Sequence, residues 1–241
     1  MCRHLAYLGA PVALGALLVE PAHSLLTQTT APRHQAPGIT NVHGFGVAWY
    51  PDGTTAPQRY RTTTPMRDDA TLGGNDGVCS GAVLAAARNA SPGLALEVHN
   101  NAPYLAERWA YSHNGFISSF SERQDVRALA SAERGAGIEG TTDSELVFAF
   151  VLDALDDGVD PASALQRAIG LVGDDHSKLN LLLTDGSTIW ATRWGNSLFT
   201  LAADDHVVVA SEPYDDDPRW AAVPDRSVVI ATTAELLSWR I

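Results

Sequence analysis

The residue best suited to chemistry in this 241-residue chain is its second, Cys2. We expect Met1 to be removed, because a small side chain follows it, and Cys2 then carries a thiol and a free α-amine on one carbon. In model compounds an α-amine has a pKa of about 8 and a thiol about 8.5, so the neutral amine can accept the thiol proton near neutral pH. This pairing joins a nucleophile to its own base. The alternative is that Met-Cys is simply the way this chain begins and that Cys2 has no chemical role.

Four further stretches follow Cys2 in a fixed order. They are Gly44-Phe45-Gly46-Val47-Ala48-Trp49-Tyr50, Arg88-Asn89-Ala90-Ser91-Pro92-Gly93, His113-Asn114-Gly115 and Thr142-Asp143-Ser144-Glu145. Together with Cys2 they resemble the glutaminase domain of the class II glutamine amidotransferases, which are N-terminal nucleophile hydrolases. The resemblance covers nearly the whole chain. It implies a four-layer αββα sandwich of two antiparallel sheets and cleavage of a γ-glutamyl amide through a thioester on Cys2.

The glutamyl end of such a substrate presents an α-carboxylate and an α-ammonium group. A carboxylate is bound well by the planar fork of an arginine, and Arg88 ends an apolar strand. The alternative for Arg88 is a loop-bracing role. Ser91 matches the family position that helps to bind the carboxylate end. The ammonium group needs a carboxylate, and Asp143 stands at a predicted helix start, where simple N-capping is the alternative.

The resemblance assigns the oxyanion hole to the side-chain N–H of Asn114 and the backbone N–H of Gly115. Asn-Gly is also typical of a tight type I′ turn, and the sequence predicts such a turn between strands over 108–113 and 115–119. His113 and His4 are interpreted as packing or hydrogen-bonding residues, because the α-amine already supplies the base.

Other stretches resemble one stand-alone group within the family, the γ-glutamyl hydrolases of ergothioneine biosynthesis. They are residues 32–35, 179–182, 185–186, 210–218, 220 and 223–226. The leaving group that this resemblance implies carries a quaternary ammonium, which favours aromatic faces and nearby carboxylates. Trp49, Tyr214 and Trp220 are the candidates for that pocket. Two alternatives stay open: a glutaminase subunit that supplies ammonia to a separate synthase, and a non-catalytic binding module.

Composition limits the class of protein. The chain is 45% hydrophobic and 18% charged, which predicts a globular chain, and we expect a single glutamine amidotransferase type-2 domain over residues 1–241. A net charge of -12 argues against nucleic-acid and membrane partners. The partner that the resemblance implies is a small-molecule γ-glutamyl substrate. Two cysteines give no disulfide framework, so we expect the cytoplasm. Scattered histidines and the lack of a nucleotide-binding motif predict no metal and no cofactor. Homo-oligomer formation is left open.

The elements that must position these residues predict an α+β fold with antiparallel sheets. A strand over 2–9 follows the nucleophile, and a small apolar run from 78 to 88 predicts a buried strand that ends at Arg88. Helices are predicted over 122–134, 142–157 and 161–173. A meander of short strands is predicted over 178–184, 188–194, 197–202, 206–211, 226–232 and 236–240.

Overall fold

Two antiparallel β-sheets face each other in the computed structural model of the protein, which describes residues 2–73, 77–90, 95–123, 126 and 128–241. The first sheet contains β1 (Arg3–Ala13), β2 (Phe45–Trp49), β3 (Gln58–Thr62), β4 (Cys79–Ala87), β9 (Phe199–Ala202), β10 (His206–Ala210) and β11 (Ala221–Ala222). Its strand order is β11-β9-β10-β1-β4-β2-β3, so the strand that follows the nucleophile lies in the middle.

The second sheet contains β5 (Tyr104–Ala106), β6 (Trp109–Phe116), β7 (Lys178–Thr184), β8 (Ile189–Arg193), β12 (Ser227–Ala231) and β13 (Leu236–Arg240), in the order β13-β12-β8-β7-β6-β5. The helices are α1 (Leu14–Leu18), α2 (Leu25–Gln28), α3 (Ala70–Gly73), α4 (Ala132–Ala136), α5 (Asp143–Asp156) and α6 (Pro161–Val172). None of the helices in the described part of the chain has both the length and the apolarity that a membrane crossing needs.

The alternating side chains of the strands build the layers. Along β1, Leu5 and Tyr7 point outward into a cluster with α1 and α2, whereas Ala6 and Leu8 point inward to the second sheet. The outer face of the second sheet is covered by the apolar faces of α5 and α6. The resulting order of helix, sheet, sheet and helix confirms the predicted four-layer αββα fold.

The helices predicted over 142–157 and 161–173 are confirmed as α5 and α6, and each begins at a local cap. Thr142 accepts a hydrogen bond from the backbone of Glu145 at the start of α5, and Asp160 caps α6, which begins with Pro161. The helix predicted over 122–134 is wrong in its extent. The described residues instead form a 3₁₀ turn at Phe120–Glu122, a helical position at Val126, a non-helical stretch over 128–131 and the short α4. Residues 124, 125 and 127 lie outside the described residues.

The turn predicted at Asn114 and Gly115 is also wrong. Both residues lie inside the continuous strand β6, where Asn114 pairs with Asn180 and Gly115 with Leu179 of β7. Long-range strand pairing and burial of the Asn114 side chain therefore override the local turn preference of the Asn-Gly pair.

Candidate active site

Cys2 directly precedes β1, at the end of the sheet where β1 meets β4. Arg3 pairs with Ala87, so Arg88 follows β4 at the position beside Cys2. The half-buried Cys2 lines a cleft between the two sheets' ends. The rest of the lining comes from the end of β4, the segment before β5, the end of β6 and the start of α5: Ala86, Ala87, Arg88, Asn89, Ala90, Asn100, Ala102, Tyr104, His113, Gly115, Thr142, Asp143 and Ser144.

Asn114 reaches the nucleophile from the opposite sheet. Its side-chain Oδ1 accepts a hydrogen bond of 3.1 Å from the backbone nitrogen of Cys2. Its Nδ2 donates at 3.1 Å to the hydroxyl of Ser211, which also accepts from the backbone N–H of His4 at 3.0 Å. A primary amide carries two N–H groups, so Nδ2 has a second donor beside the one that Ser211 uses.

Gly115 brings its backbone to the cleft one residue after Asn114. A Cβ atom at this position would lie 1.7 Å from the carbonyl oxygen of Lys178 and 2.5 Å from Nε2 of His113. The close approach of β7 therefore explains why this strand position needs glycine.

Arg88 is a buried arginine in the lining of the cleft. It donates to Oδ1 of Asn101 at 3.2 Å and to the carbonyl oxygen of Ala95 at 3.4 and 3.5 Å. Burial lowers the pKa of Arg88, an effect that the charges of Cys2 and Tyr104 oppose. Within the described residues no carboxylate forms an ion pair with Arg88, so an anionic group that enters the cleft can supply its counter-charge.

The backbone on both sides of Arg88 is held by the stretch before β2. The N–H of Arg88 donates to the carbonyl of Gly44, and the N–H of His43 donates to the carbonyl of Arg88. The ring Nδ1 of His43 accepts from the N–H of Ala90 at 3.0 Å. Gly44 has φ +104, and an added Cβ would lie 2.3 Å from the carbonyl oxygen of Thr62. This stretch therefore fixes where the guanidinium group enters the cleft.

Asp143 lines the cleft from the first turn of α5. Its Oδ2 accepts a hydrogen bond of 2.7 Å from the backbone N–H of Ile117, and Ser144 donates to its Oδ1 at 3.3 Å. The capping residue is Thr142, so Asp143 is not the N-cap. The helix N-terminus stabilises the carboxylate, and the cleft thus holds an anionic group as well as the cationic Arg88.

The two histidines near the nucleophile are hydrogen-bonded, as predicted. His113 must donate from Nε2 to the carbonyl of Lys178 at 2.8 Å, so its Nδ1 is an acceptor 3.0 Å from the hydroxyl of Ser144. That hydroxyl has one proton, which it shares between this nitrogen and Oδ1 of Asp143. Burial lowers the pKa of His113, against the opposing effects of Asp143 and of that carbonyl. His4 bonds to the Ser112 hydroxyl at 3.2 Å, and burial holds the pKa of His4 well below its usual value.

The residues predicted for the leaving group lie apart from the lining of this cleft. Tyr214 and Trp220 contact each other edge to face, with ring centroids 5.3 Å apart, and Trp220 donates to Asp215 at 2.7 Å. Trp49 packs against the same cluster on the outer face of the first sheet. Their role in leaving-group binding stays a prediction. Ser91 lies outside the described residues.

Sequence reasoning missed the residues that support the cleft from a distance in the chain. Asn101 bonds to Arg88, Ser211 bonds to Asn114, and Asn196 bonds to both the backbone and the side chain of Asn114. Ser211 belongs to the stretch 210–218, whose family resemblance was a usable signal. Asn101 and Asn196 stand in loops and carry no local signal.

Comparisons with known proteins agree with this geometry. The family model for class-II glutamine amidotransferases matches residues 23–238. The γ-glutamyl-hercynylcysteine sulfoxide hydrolase of Mycolicibacterium smegmatis is 37% identical over 98% of this chain and 98% of that protein. A solved glutamine aminotransferase class-II domain protein from Silicibacter pomeroyi is 25% identical, with a TM-score of 0.71 over 99% of both chains. Glutamine phosphoribosylpyrophosphate amidotransferase from B. subtilis, 14% identical, shares the fold with a TM-score of 0.71 over 99% of this chain and 49% of that chain.

Proposed function

The chain belongs to the class II glutamine amidotransferases, and on that premise we propose that it is a hydrolase that cleaves a γ-glutamyl amide and releases glutamate. One observation carries the proposal: a single cleft is lined by Cys2, Arg88, Asp143 and Gly115. These residues offer a nucleophile, a cation, an anion and a backbone donor. Each polar feature of a γ-glutamyl amide, its scissile carbonyl, α-carboxylate and α-ammonium, then has a partner.

The proposed substrate is γ-glutamyl-hercynylcysteine sulfoxide, an intermediate of ergothioneine biosynthesis, and the proposed compartment is the cytoplasm. Support for the substrate comes from the Mycolicibacterium smegmatis hydrolase, which is 37% identical over 98% of both chains. In this reaction Arg88, with the help of Ser91, binds the α-carboxylate, and Asp143 binds the α-ammonium group.

The proposed mechanism begins after Met1 has been removed. The α-amine of Cys2 accepts the thiol proton, and the thiolate attacks the γ-carbonyl carbon. The Asn114 side chain and the Gly115 backbone donate to the tetrahedral oxyanion. The protonated amine then gives its proton to the leaving nitrogen, and water hydrolyses the thioester to free glutamate. Since the base and the nucleophile belong to one residue, proximity contributes much of the rate.

Parallel assays with γ-glutamyl-hercynylcysteine sulfoxide and glutamine test the proposal. We expect glutamate release from the sulfoxide with a much higher kcat/KM than from glutamine, together with loss of Met1 in the intact mass. Preferential glutamine hydrolysis that a partner synthase stimulates would instead favour an ammonia-supplying subunit. Retained Met1 with no turnover of either substrate would favour a binding module.

A further inference from the structure

The side-chain amide of Asn114 is surrounded by contacts that differ in how firmly they fix its orientation. Its Oδ1 accepts from the nitrogen of Cys2 at 3.1 Å and from Nδ2 of Asn196 at 3.3 Å. Its Nδ2 donates to Ser211 at 3.1 Å. Asn114 and Ser211 are fully buried, and Asn196 is 6% exposed. This amide therefore has little water to replace a lost partner.

Asn196 is the partner that decides which amide atom faces Cys2. A hydroxyl can donate or accept, and a neutral amine can do the same, so neither Ser211 nor Cys2 fixes the amide. Nδ2 of Asn196 can only donate, and its own identity is settled because it also contacts the backbone carbonyl of Asn114 at 3.0 Å, which only accepts. The Asn114 atom that faces Asn196 must therefore be oxygen.

Asn196 is itself held by Asn180, which lies opposite Asn114 on β7. Oδ1 of Asn180 accepts from the backbone N–H groups of Trp194 and Asn196 at 3.0 and 3.1 Å. Nδ2 of Asn180 donates to the carbonyl of Asn196 at 3.2 Å. The turn after β8 is thus clamped beside the strand that carries Asn114.

A rotated Asn114 amide would disable the proposed chemistry twice. Its Nδ2 would donate into the lone pair of the α-amine, which must accept the thiol proton. Its oxygen would replace the N–H that the oxyanion needs. We infer that Asn196 is a positioning residue, which by donating to Asn114 keeps the amine lone pair free for the Cys2 thiol. The inference rests on the proposed function, because it assigns a role within that same reaction.

Two substitutions of Asn196 test the inference. Asn196→Ala removes the donor, and the isosteric Asn196→Asp replaces it with a carboxylate that only accepts and so favours the rotated amide. We expect kcat to fall by about 10- to 100-fold, the loss that is typical when the hydrogen-bond partner that orients a metal-ligating side chain is removed. KM should stay within about twofold, because Arg88 and Asp143 keep their contacts. Wild-type kcat in both folded variants would overturn the inference.

The pH dependence separates this role from a merely structural one. In Asn196→Ala the Asn114 amide is free to rotate, and rotation takes its oxygen away from the amine. The amine then loses the acceptor that favours its protonated form, so its pKa falls and the acid limb of the kcat/KM profile should move to lower pH. Among the described residues, the other titratable groups around Cys2 are Arg3, Arg88, Tyr104, His113 and Asp143, and all remain in the variant. An unmoved acid limb would count against the inference.

Thr192→Val is the matched control. The fully buried Thr192 donates to the carbonyl of Leu179 at 2.7 Å and accepts from the N–H of Leu181 at 3.1 Å, so its loss also weakens β7 but leaves Asn114 untouched. We expect wild-type kcat and an unmoved acid limb. Intact mass must show Met1 removed in every variant, and melting temperature must show that each one folds.

An alkylation assay keeps the inference testable without any substrate. The rate of Cys2 alkylation by iodoacetamide is followed against pH in a Cys79→Ser background, because Cys79 is exposed. The profile should shift between wild type and Asn196→Ala, and identical profiles would overturn the inference. If the two profiles differ but the wild-type protein cleaves no γ-glutamyl amide, the result would contradict only the proposed function.

Discussion

The backbone nitrogen of Cys2 lies 3.1 Å from Oδ1 of Asn114, and this hydrogen bond joins the two sheets at the cleft. The residues are 112 positions apart in the chain, so the contact exists only when the sheets are stacked. The group that is proposed to act as base is therefore held by the sheet opposite its own. Asn114 in turn places the Gly115 backbone at the same cleft.

Replacement of Cys2 by alanine is expected to abolish hydrolysis. The substitution removes the nucleophile but leaves the strand pairing of β1 intact, so the melting temperature should stay within about 2 °C of wild type. Loss of a covalent nucleophile lowers kcat by roughly 10³-fold or more. Glutamate release and circular dichroism measure the two quantities.

Cys79→Ser controls for the loss of a cysteine as such. Cys79 is exposed at the start of β4, far along the strand from Ala87, and this variant should keep wild-type kcat. Comparable activity in Cys2→Ala and Cys79→Ser would rule out Cys2 as the nucleophile.

Arg88→Lys is expected to weaken substrate binding while it keeps the positive charge. Lysine lacks the planar fork that binds a carboxylate through two N–H groups. Hydrogen bonds to charged groups are worth about 1.5–3 kcal/mol, so KM should rise by roughly 10- to 100-fold. Steady-state kinetics with a γ-glutamyl amide measure the change.

Arg59→Lys is the matched control for Arg88→Lys. The partly buried Arg59 of β3 donates to the carbonyl of Pro103 at 3.2 Å and does not line the cleft around Cys2. KM should be unchanged in this variant. An equal rise of KM in both arginine variants would remove the support for a specific carboxylate contact at Arg88.

Asp143→Asn should discriminate between substrates with and without an α-amine. The asparagine oxygen can still accept from the N–H of Ile117, so the helix start is preserved and only the charge is lost. We expect kcat/KM to fall by roughly 10- to 100-fold for a γ-glutamyl amide, in line with the ~1.5–3 kcal/mol of a charged hydrogen bond. For the corresponding glutaryl amide, which lacks the α-ammonium group, the kcat/KM of the variant should equal that of wild type. Equal losses on both substrates would show that Asp143 supports the fold instead.

The residues proposed to act on the substrate could be placed from the sequence more readily than the residues that support them. Cys2, Arg88 and Asp143 stand at a chain start, a strand end and a helix start, and these positions are visible locally. Asn196 could not be found in this way, because its contact with the backbone of Asn114 spans 82 residues and depends on the turn that Asn180 clamps. Such contacts follow from strand order, which the sequence did not specify.

The fold shows the same division. Helices α5 and α6 were predictable because their caps, Thr142 and Asp160, lie next to the apolar stripes that they start. The Asn114-Gly115 pair was misread as a turn because its local preference competes with pairing to β7. Burial of the Asn114 side chain between the sheets decides that competition. The local sequence does not show that this stretch will pair with β7.

Gly115→Ala should destabilise the fold and impair hydrolysis together. The added Cβ would lie 1.7 Å from the carbonyl oxygen of Lys178, so β6 and β7 must separate and displace the Gly115 N–H. Overpacking costs about 1–3 kcal/mol, which lowers Tm by roughly 3–10 °C in a protein of this size. In Gly135→Ala, the matched control in α4, the added Cβ meets nothing within 4 Å, and Tm should hold or rise slightly. Wild-type Tm and kcat in Gly115→Ala would contradict this account of β6, because they would show that the strands can part without moving the donor.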